Sequence, residues 1–531
     1  MTLTIDHPVR RWLSVLFAAG ALGQTALAAP ADHDGAFAGG VSRWVMSLNG
    51  QLSEARAMVA QPDGRILFAA QCRGISVQKT AFCVMRLLAN GQADNSFGTG
   101  GVAITHVTSG FGADIPQAML LQPDGKIVVA GTCNSVAGGD DFCLVRHLAS
   151  GALDSTFGSA GRVVTPMSAG NGNDLAHALA LDAAGNIVVA GQCGAPSSSC
   201  LASYDATTGA LRAGFGSGGI RLFRLSGDPG ANESINALAS DRFGRLHTAG
   251  SCNPNTNTGL DFCVARLRID GALDGNFGQG TGWVPTSFFA DKFDDTANSL
   301  VVQPDGKLVA GGMCRLSSTS HGLCLARYHG NGALDTSFDA AFAASGKVAT
   351  TLPTHTVSGI RALALQPDGR IVAAGICQRL VAATVTATDN CALRYLPEGQ
   401  LDGSFGVNGF AVTFPGSSTT LLPLSANAAT MLPGGRILVA TACANTGTGT
   451  ADACVIALKG GPLGYSRCSL DLDGDGTTRV DVDALLFTRL MMGFGNAAAL
   501  QGITLPAAAT RNNWSQIRRH AFEQCGMSVS P

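Results

Sequence analysis

Charged and aromatic residues are scarce in this chain of 531 residues. Only 14% of the residues are charged and 6% are aromatic, and the formal net charge is −2. Proteins that bind nucleic acid or an anionic membrane surface carry a basic surplus, so this balance gives no sign of either partner. No segment after the signal-like N-terminus has a long enough uninterrupted apolar run to predict a transmembrane anchor. We expect a monomer.

Recognisable catalytic motifs are lacking as well. The sequence has no G-x-S-x-G, H-E-x-x-H or nucleotide-binding glycine loop in a convincing context, and its ten histidines are scattered. Binding is therefore favoured over enzymatic activity.

Glycine and cysteine, in contrast, are abundant, with 69 and 16 residues. Residues 1–28 have the pattern of a signal peptide, because Arg10 and Arg11 precede an apolar run and Ala26-Leu27-Ala28 is a cleavage motif. A buried N-terminal helix is the alternative. An even number of cysteines in an exported chain predicts eight disulfides and a secreted or cell-surface location.

A unit of about sixty residues recurs seven times, and such a period indicates a repeat architecture. Each copy has a turn motif, QPDG in its commonest form, that ends at a glycine: Gly64, Gly125, Gly185, Gly244, Gly306, Gly369 and Gly435. In the second copy, short apolar or β-branched segments at 118–122, 126–130, 143–148 and 161–165 are typical of strands. Four strands are the content of one propeller blade.

The two ends of the repeat region complement each other. The last copy stops after its third strand, near Lys459, while Asp34–Val41 resembles the fourth-strand segment Asp94–Val102 of the first copy. We therefore predict an all-β fold, a seven-bladed β-propeller over residues 34–461 that the N-terminal strand closes. A linear β-solenoid is the alternative, but it needs no displaced strand.

The repeats contain one cysteine pair each, at the end of the second strand and the start of the third. The predicted disulfides are Cys72–Cys83, Cys133–Cys143, Cys193–Cys200, Cys252–Cys263, Cys314–Cys324, Cys377–Cys391 and Cys443–Cys454. Zinc binding is the rival interpretation, and the spacing and the export signal disfavour it.

A second recurring pair joins an arginine three residues after the second cysteine to an aspartate in the next turn. The pairs are Arg86 and Asp94, Arg146 and Asp154, Arg266 and Asp274, Arg327 and Asp335, and Arg394 and Asp402. The third copy lacks both partners, with Ser203 and Arg212 instead, which suggests that the two meet as an ion pair. The seventh copy has Ala457 opposite Asp34.

The pattern ALALQPDG(K/R)IVVAG … C(L/V)xR … GALDxSFGxxG resembles the delta-60 repeat of bacterial exported proteins. The resemblance covers about residues 34–460 and is best in the second, fifth and sixth copies. It implies a propeller-like fold, and no defined activity comes with it.

Two polar columns precede the turn glycine. Eight residues before it stand Arg56, Gln117, His177, Asn236, Asn298, Arg361 and Asn427. Eleven residues before it stand Ser53, Asp114, Asp174, Glu233, Asp295, Ser358 and Leu424. Because the first strand of a blade is innermost, we expect both columns to line the central channel and its mouth. Either the first column binds a polar, sugar-like or protein-surface ligand, or it is only the polar wall of a water-filled channel.

Residues 466–531 predict a separate module. Its D-x-D-x-D-G motif is the first half of an EF-hand calcium loop, and the predicted Ca²⁺ ligands are Asp471, Asp473, Asp475, Thr477 and Asp483. Helices are expected after this loop and from Trp514 to Glu523, with a Cys468–Cys525 disulfide. The stretch resembles a dockerin-type or EF-hand-like tail, although only one calcium loop is visible. A metal-free acidic turn is the alternative.

These observations favour an exported, non-catalytic binding or adhesion scaffold whose channel mouth takes a polar ligand, such as a glycan or a surface protein. The alternative is a glycoside hydrolase or lyase that uses carboxylates of the second column, Asp114, Asp174, Glu233 and Asp295. A third possibility is a display protein that binds through the loops between the cysteines, the longest of which spans 378–390.

Overall fold

The structure is a computed structural model, and it describes most of the repeat region and parts of the tail. The described residues are 32–44, 54–73, 79–108, 112–134, 139–168, 172–226, 230–254, 259–289, 293–339, 345–352, 355, 357–382, 385–413, 426–432, 435–445, 450–460, 472, 482–491, 500–507, 509–510 and 516–517. The predicted signal peptide lies outside them.

The described strands form seven antiparallel sheets of four strands each, one per repeat. In chain order they are β1 (Val41–Trp44), β2 (Ala55–Ala60), β3 (Ile66–Arg73), β4 (Thr80–Leu87), β5 (Val102–Thr105), β6 (Asp114–Leu121), β7 (Ile127–Asn134), β8 (Asp140–His147), β9 (Arg162–Thr165), β10 (Asp174–Leu181), β11 (Ile187–Cys193), β12 (Ser198–Tyr204), β13 (Ile220–Phe223), β14 (Ser234–Ser240), β15 (Leu246–Cys252), β16 (Asp261–Leu267), β17 (Trp283–Thr286), β18 (Thr296–Val302), β19 (Leu308–Arg315), β20 (His321–Tyr328), β21 (Lys347–Thr350), β22 (Val357–Leu365), β23 (Ile371–Ala382), β24 (Val385–Tyr395), β25 (Phe410–Thr413), β26 (Ala426–Met431), β27 (Ile437–Asn445) and β28 (Thr450–Leu458). Two short 3₁₀ turns lie at Ala38–Gly40 and Gly278–Gly280. The predicted seven-bladed propeller is confirmed.

The N-terminal strand closes the ring. Strand β1 pairs with β28 as the outer strand of the seventh blade, with Val41 opposite Ile456 and Trp44 opposite Ala453. The backbone N–H of Asp34 also donates to the carbonyl of Ala457 at 2.9 Å. This displaced strand is the feature that a linear solenoid does not have.

The turn chemistry explains how each blade begins. In blade 2, the N–H of Gly125 donates to the carbonyl of Gln122 at 2.9 Å, and Gly125 has φ 83, a left-handed value that glycine adopts without strain. The Asp124 carboxylate accepts the Lys126 N–H at 3.2 Å and fixes the turn.

The cores lie between neighbouring blades. Strand β7, a run of apolar residues in the sequence, is buried along almost its whole length because both of its faces are covered. Val128 and Phe142 of blade 2 pack in one cluster with Ile187 and Val189 of blade 3, and similar clusters occur around the ring. Each blade therefore needs its neighbours in order to bury its apolar faces.

The seven predicted blade disulfides are present, and none of the described cysteines is free. The partners are diagonal neighbours on the hairpin rather than directly opposite residues. Cys133 stands opposite Asp141, and Cys143 stands opposite Gly131, with 5.8 Å between the two cysteine Cα atoms. Cys468 and Cys525 lie outside the described residues. Seven disulfides are typical of a protein that folds in an oxidising, extracytoplasmic compartment.

The predicted arginine–aspartate pairs are also formed. In all five copies the arginine Nε donates to an aspartate oxygen at 2.7–2.8 Å: Arg86 to Asp94, Arg146 to Asp154, Arg266 to Asp274, Arg327 to Asp335 and Arg394 to Asp402. Each arginine also donates to a backbone carbonyl of the next blade, as Arg86 does to Ala149 at 2.6 Å. The pair therefore joins two blades, and does not only tie a strand to its own turn.

The two exceptional copies use other partners. Arg212 of blade 3 contacts Ser203 at 3.3 Å and pairs with Asp182 at 3.0 Å. Asp34, which enters blade 7 with the N-terminal segment, pairs with Arg436 at 2.6 Å.

Two regions differ from the sequence expectation. The segment 378–390 is an extension of the β23–β24 hairpin, paired as far as Ala382 opposite Val385, and not a loop. In the tail, the described residues form helix α1 (Asp483–Met491) and a further helical pair, Gln516 and Ile517, and they do not support the expected α-helical EF-hand-like domain. The second expected helix, Trp514–Glu523, lies almost wholly outside the described part of the chain. Among the described residues, no helix has the length and apolarity to cross a lipid bilayer.

Candidate functional site

A β-bulge interrupts the innermost strand of every blade at the same place. In blade 4 the register passes from Ile235 to Ala237, so that Asn236 is the unpaired residue. The register shifts of the other six blades skip the corresponding residues, which are Arg56, Gln117, His177, Asn298, Arg361 and Asn427. A bulge redirects a side chain that would otherwise follow the alternation of the strand.

These seven bulge residues line one cavity of about 330 Å³ on the propeller axis. They are the seven residues of the first polar column in the sequence. The structure therefore brings that predicted set together, one side chain from each blade.

Several members of this ring fasten neighbouring blades. The Nδ2 atoms of three asparagines donate to backbone carbonyls of the following blade: Asn236 to Ala297 at 2.9 Å, Asn298 to Ile360 at 2.9 Å and Asn427 to Ala55 at 3.0 Å. Each acceptor immediately precedes the next ring residue.

His177 has the same position in blade 3. Its Nδ1 lies 3.2 Å from the carbonyl oxygen of Ile235, which can only accept, so Nδ1 has the proton and Nε2 is an acceptor. Burial lowers the pKa of His177 below its ordinary value, although the hydrogen bonds to Ile235 and Asn236 oppose this shift. His177 is therefore neutral near pH 7.

The positive side of the ring is formed by Arg56 and Arg361, on either side of Asn427. Arg56 is engaged twice: its Nη2 lies 2.9 Å from Oε2 of Glu54, and its Nη1 donates to Oε1 of Gln117 at 3.2 Å. Arg361 is exposed to water within the channel. The surrounding protein nevertheless desolvates it and lowers its pKa, while the charge of Glu54 opposes that shift.

Sequence reasoning missed Glu54. It stands ten residues before the turn glycine, between the two polar columns. In the other six copies this position has Ile115, Leu175, Ser234, Thr296, Gly359 and Ser425, so a charged residue there was a usable signal. Arg56 and Arg361 contribute two positive charges to the ring, and the adjacent Glu54 contributes one negative charge. These described residues therefore have one net positive charge.

The prediction for the second column was wrong. Asp114, Asp174, Glu233 and Asp295 are buried, with at most 3% of each residue exposed, and they do not line the channel mouth. Their oxygens accept backbone N–H groups in the connections between blades, as Asp174 Oδ2 does from Met167 at 2.8 Å and from Ser168 at 2.9 Å. Such orphan N–H groups need an acceptor inside the protein, which explains the carboxylates. Ser358 is buried as well, and Ser53 and Leu424 lie outside the described residues.

The predicted calcium ligands Asp471, Asp473, Asp475 and Thr477 lie outside the described residues. Asp483 is described: it begins helix α1, it is 2% exposed, and its Oδ1 accepts the N–H of Leu472 at 2.6 Å. Within the described part of the chain, no three His, Cys, Asp or Glu side chains cluster closely enough to hold a metal ion.

Comparison with known proteins supports the architecture. Residues 61–97, 122–157, 303–338 and 366–405 match the DUF5122 β-propeller domain, a domain of unknown function. No curated protein matches the sequence.

Solved structures align with much of this chain at low identity. A protein of unknown function from Dyadobacter fermentans DSM 18053 is 13% identical, with 79% of this chain and 99% of that chain covered and a TM-score of 0.40. The polysaccharide lyase Uly1 is 10% identical, with 81% and 97% covered and a TM-score of 0.39. A PL25 ulvan lyase is 11% identical, with 78% and 94% covered and a TM-score of 0.42. Similarity at this level says nothing about ligand or chemistry. From its seven closed blades and its four matching repeats, we conclude that the chain is a β-propeller repeat protein.

Proposed function

We propose that this chain is an exported, non-catalytic binding scaffold of the delta-60-repeat type, secreted or held at the cell surface, whose central channel binds a small anionic, sugar-like ligand. One observation carries the proposal. A side chain from every blade reaches the same cavity of about 330 Å³, and positive charge exceeds negative charge there.

The chemistry of the ring suits a sugar acid. The Arg361 guanidinium is open to water and matches a carboxylate with two parallel N–H donors. The amide oxygen of Asn298 and His177 Nε2 can accept hydrogen bonds from hydroxyl groups. The cavity volume lies at the lower end of the range for small-molecule sites, which suits a mono- or disaccharide.

Glu54 makes the two arginines unequal. It neutralises Arg56 at 2.9 Å and so holds this side chain against the wall. Arg361 is therefore the principal anchor for an anion, and Arg56 a secondary one.

The test is a calorimetric titration of the purified chain with D-glucuronate and, as the uncharged match, D-glucose. We expect glucuronate to bind more tightly than glucose, and Arg361→Gln to weaken glucuronate binding at least tenfold, because one lost charged hydrogen bond is worth about 1.5–3 kcal/mol. The matched control is Arg268→Gln, since Arg268 is an exposed arginine whose side chain is 57% accessible. Equal affinities for the two sugars, or unchanged binding by Arg361→Gln, would contradict the proposal.

A glycan panel then extends the test to larger ligands, with each glycan also checked for cleavage. The hydrolase or lyase alternative relied on accessible carboxylates at the channel mouth. Asp114, Asp174, Glu233 and Asp295 are buried against backbone N–H groups, so these carboxylates are not accessible to a substrate.

For the tail we propose a single calcium site at Asp471, Asp473, Asp475, Thr477 and Asp483. The spacing of the first three carboxylates in the sequence supports it. We expect the full chain to bind one Ca²⁺ in a calorimetric titration, and Asp471→Asn/Asp473→Asn to lose that binding while the channel titration stays unchanged. Calcium binding by the double variant would contradict the assignment.

A further inference from the structure

The two arginines of the central channel have different surroundings. Arg56 is held by two partners, because its Nη2 lies 2.9 Å from the Glu54 carboxylate and its Nη1 lies 3.2 Å from the Gln117 amide oxygen. Its Nε is buried. Arg361, in contrast, is exposed within the cavity and has no hydrogen-bond or ion-pair partner among the described residues. Only the Arg361 guanidinium is therefore free to bind a ligand.

Glu54 directly precedes strand β2 and stands two residues before Arg56, so the ion pair is local to blade 1. The Glu54 side chain is 15% exposed and the Arg56 side chain is 27% exposed. Because both groups are largely shielded from water, salt and solvent screen their attraction less than that of an exposed pair. The charge of Glu54 also acts on Arg361, two blades away around the ring. Glu54 therefore lowers the positive potential that both arginines create in the channel.

The charges in the channel compensate one anionic group and no more. Arg56 and Arg361 together with Glu54 sum to one positive charge, and neutral His177 adds none near pH 7. A ligand with one carboxylate pairs with Arg361 and leaves the channel neutral. A second carboxylate would find only an arginine that Glu54 already neutralises. The desolvation that lowers the pKa of Arg361 would also act on this uncompensated charge and disfavour it.

We propose that Glu54 is the specificity-determining residue of the channel, and that it restricts the site to sugar acids with a single carboxylate. The inference rests on the function proposed for the channel and adds a role for a residue that does not line the cavity. Glu54 is a positioning residue, since it acts by holding the Arg56 guanidinium and cancelling its charge. A site discriminates against a competing ligand when it leaves one of the charges of that ligand unpaired.

The experiment is a calorimetric titration of the full chain with D-gluconate and D-glucarate, open-chain sugar acids of equal length with one and two carboxylates. We expect the parent protein to bind gluconate more tightly than glucarate. Glu54→Gln keeps an oxygen that accepts a hydrogen bond from Arg56 and removes the negative charge. Since Arg56 then provides a second charged hydrogen bond, the ratio of the two affinities should shift by about tenfold or more towards glucarate.

Two further variants identify the origin of this shift. Glu54→Gln/Arg56→Gln should lose the gain for glucarate, because Arg56 is the cation that Glu54→Gln releases. The matched control is Glu398→Gln, which removes the charge of an exposed glutamate in the β24–β25 connection and should keep the parental ratio. A parental ratio in Glu54→Gln, or a shift that persists without Arg56, would overturn the inference.

The outcomes separate this inference from the proposed function. If the parent binds gluconate and Glu54→Gln keeps the parental ratio, the role of Glu54 is wrong and the channel function stands. If neither acid binds to the parent or to Glu54→Gln, both are wrong.

Arginine modification provides a measurement that needs no ligand. Phenylglyoxal reacts with accessible guanidinium groups, and peptide mass spectrometry identifies the modified arginines. We expect Arg361 to react faster than Arg56 in the parent protein, and Arg56 to react faster in Glu54→Gln than in the parent. Equal rates for the two arginines in the parent, or an Arg56 rate that Glu54→Gln leaves unchanged, would overturn the inference.

Discussion

The buried arginine of each blade should be among the most stabilising side chains of the protein, and Arg146 tests this best because it is fully buried. Its Nε donates to Asp154 at 2.8 Å, its Nη2 donates to the carbonyl of Thr207 in blade 3 at 2.6 Å, and its guanidinium lies 4.3 Å from the centre of the Phe157 ring. The perturbation is Arg146→Met, which keeps the apolar stem and removes the charge.

The expected loss of folding stability follows from the groups that Arg146→Met leaves behind. Asp154 would stay buried, with Lys126 at 3.9 Å as the nearest cation. Burial by itself raises the pKa of Asp154, and the hydrogen bonds from Thr156 together with the charge of Arg146 reverse this and hold the pKa below its ordinary value. Removing one partner of such a pair costs about 3–5 kcal/mol, so we expect the free energy of unfolding to fall by that amount.

Denaturant unfolding followed by fluorescence, under oxidising conditions, measures the loss. The double variant Arg146→Met/Asp154→Asn should lose less than the two single variants together, with a coupling of about 2 kcal/mol or more. The exposed pair of Arg268 and Asp270, 3.0 Å apart, is the control, and Arg268→Met should cost about 0–1 kcal/mol. A loss below about 1 kcal/mol for Arg146→Met, or strict additivity in the double variant, would refute the reasoning.

Three further predictions concern the scaffold. Burial lowers the pKa of His147 from 6.5 to about 4. As the pH falls below 6.5, the unfolded chain therefore takes up a proton that folded His147 does not. The contribution of neutral His147 to stability is complete above pH 6.5, and the free energy of unfolding falls by about 3 kcal/mol towards pH 4. His147→Leu, the residue type of several sister blades, should flatten this part of the pH profile of denaturant midpoints, and an unchanged profile would contradict it. A Cβ at Gly250 would lie 1.8 Å from a backbone oxygen of the bulged strand, so Gly250→Ala should lower the melting temperature markedly, whereas Gly214→Ala, which meets nothing within 4 Å, should not. Replacing Cys193 and Cys200 together by alanine should cost about 2 kcal/mol in denaturant unfolding, since the bond closes a short loop, and a cost near zero would show that the hairpin itself already holds the two strands together.

Much of the scaffold was predictable because it repeats. Seven aligned copies reveal which residues vary together, so the seven disulfides and the five arginine–aspartate pairs could be read from spacing and shared loss. The reach of each arginine into the next blade was not predictable, because it depends on how closely the blades pack. Arg86 must lie within 2.6 Å of the Ala149 carbonyl, and no pattern within one copy contains that distance.

The channel site was likewise predictable only in part. The first polar column was correctly predicted to converge, since a residue at a fixed position of the innermost strand returns to the axis once per blade. The second column has the same periodicity, but its carboxylates turn into the protein to accept backbone N–H groups. The period of the sequence predicts how far a residue lies from the propeller axis. It does not predict the direction in which the side chain points.

The sequence by itself determined the number of blades, the closing strand, the disulfide partners and the residues around the axis, because each of these follows from chemistry repeated at a fixed spacing. Only the tertiary structure decided which polar groups face water. The bulge turns Arg361 into the channel, and the loop between blades turns Asp174 away from it. Such contacts join residues far apart in the chain, and their geometry is set by the packing of whole blades.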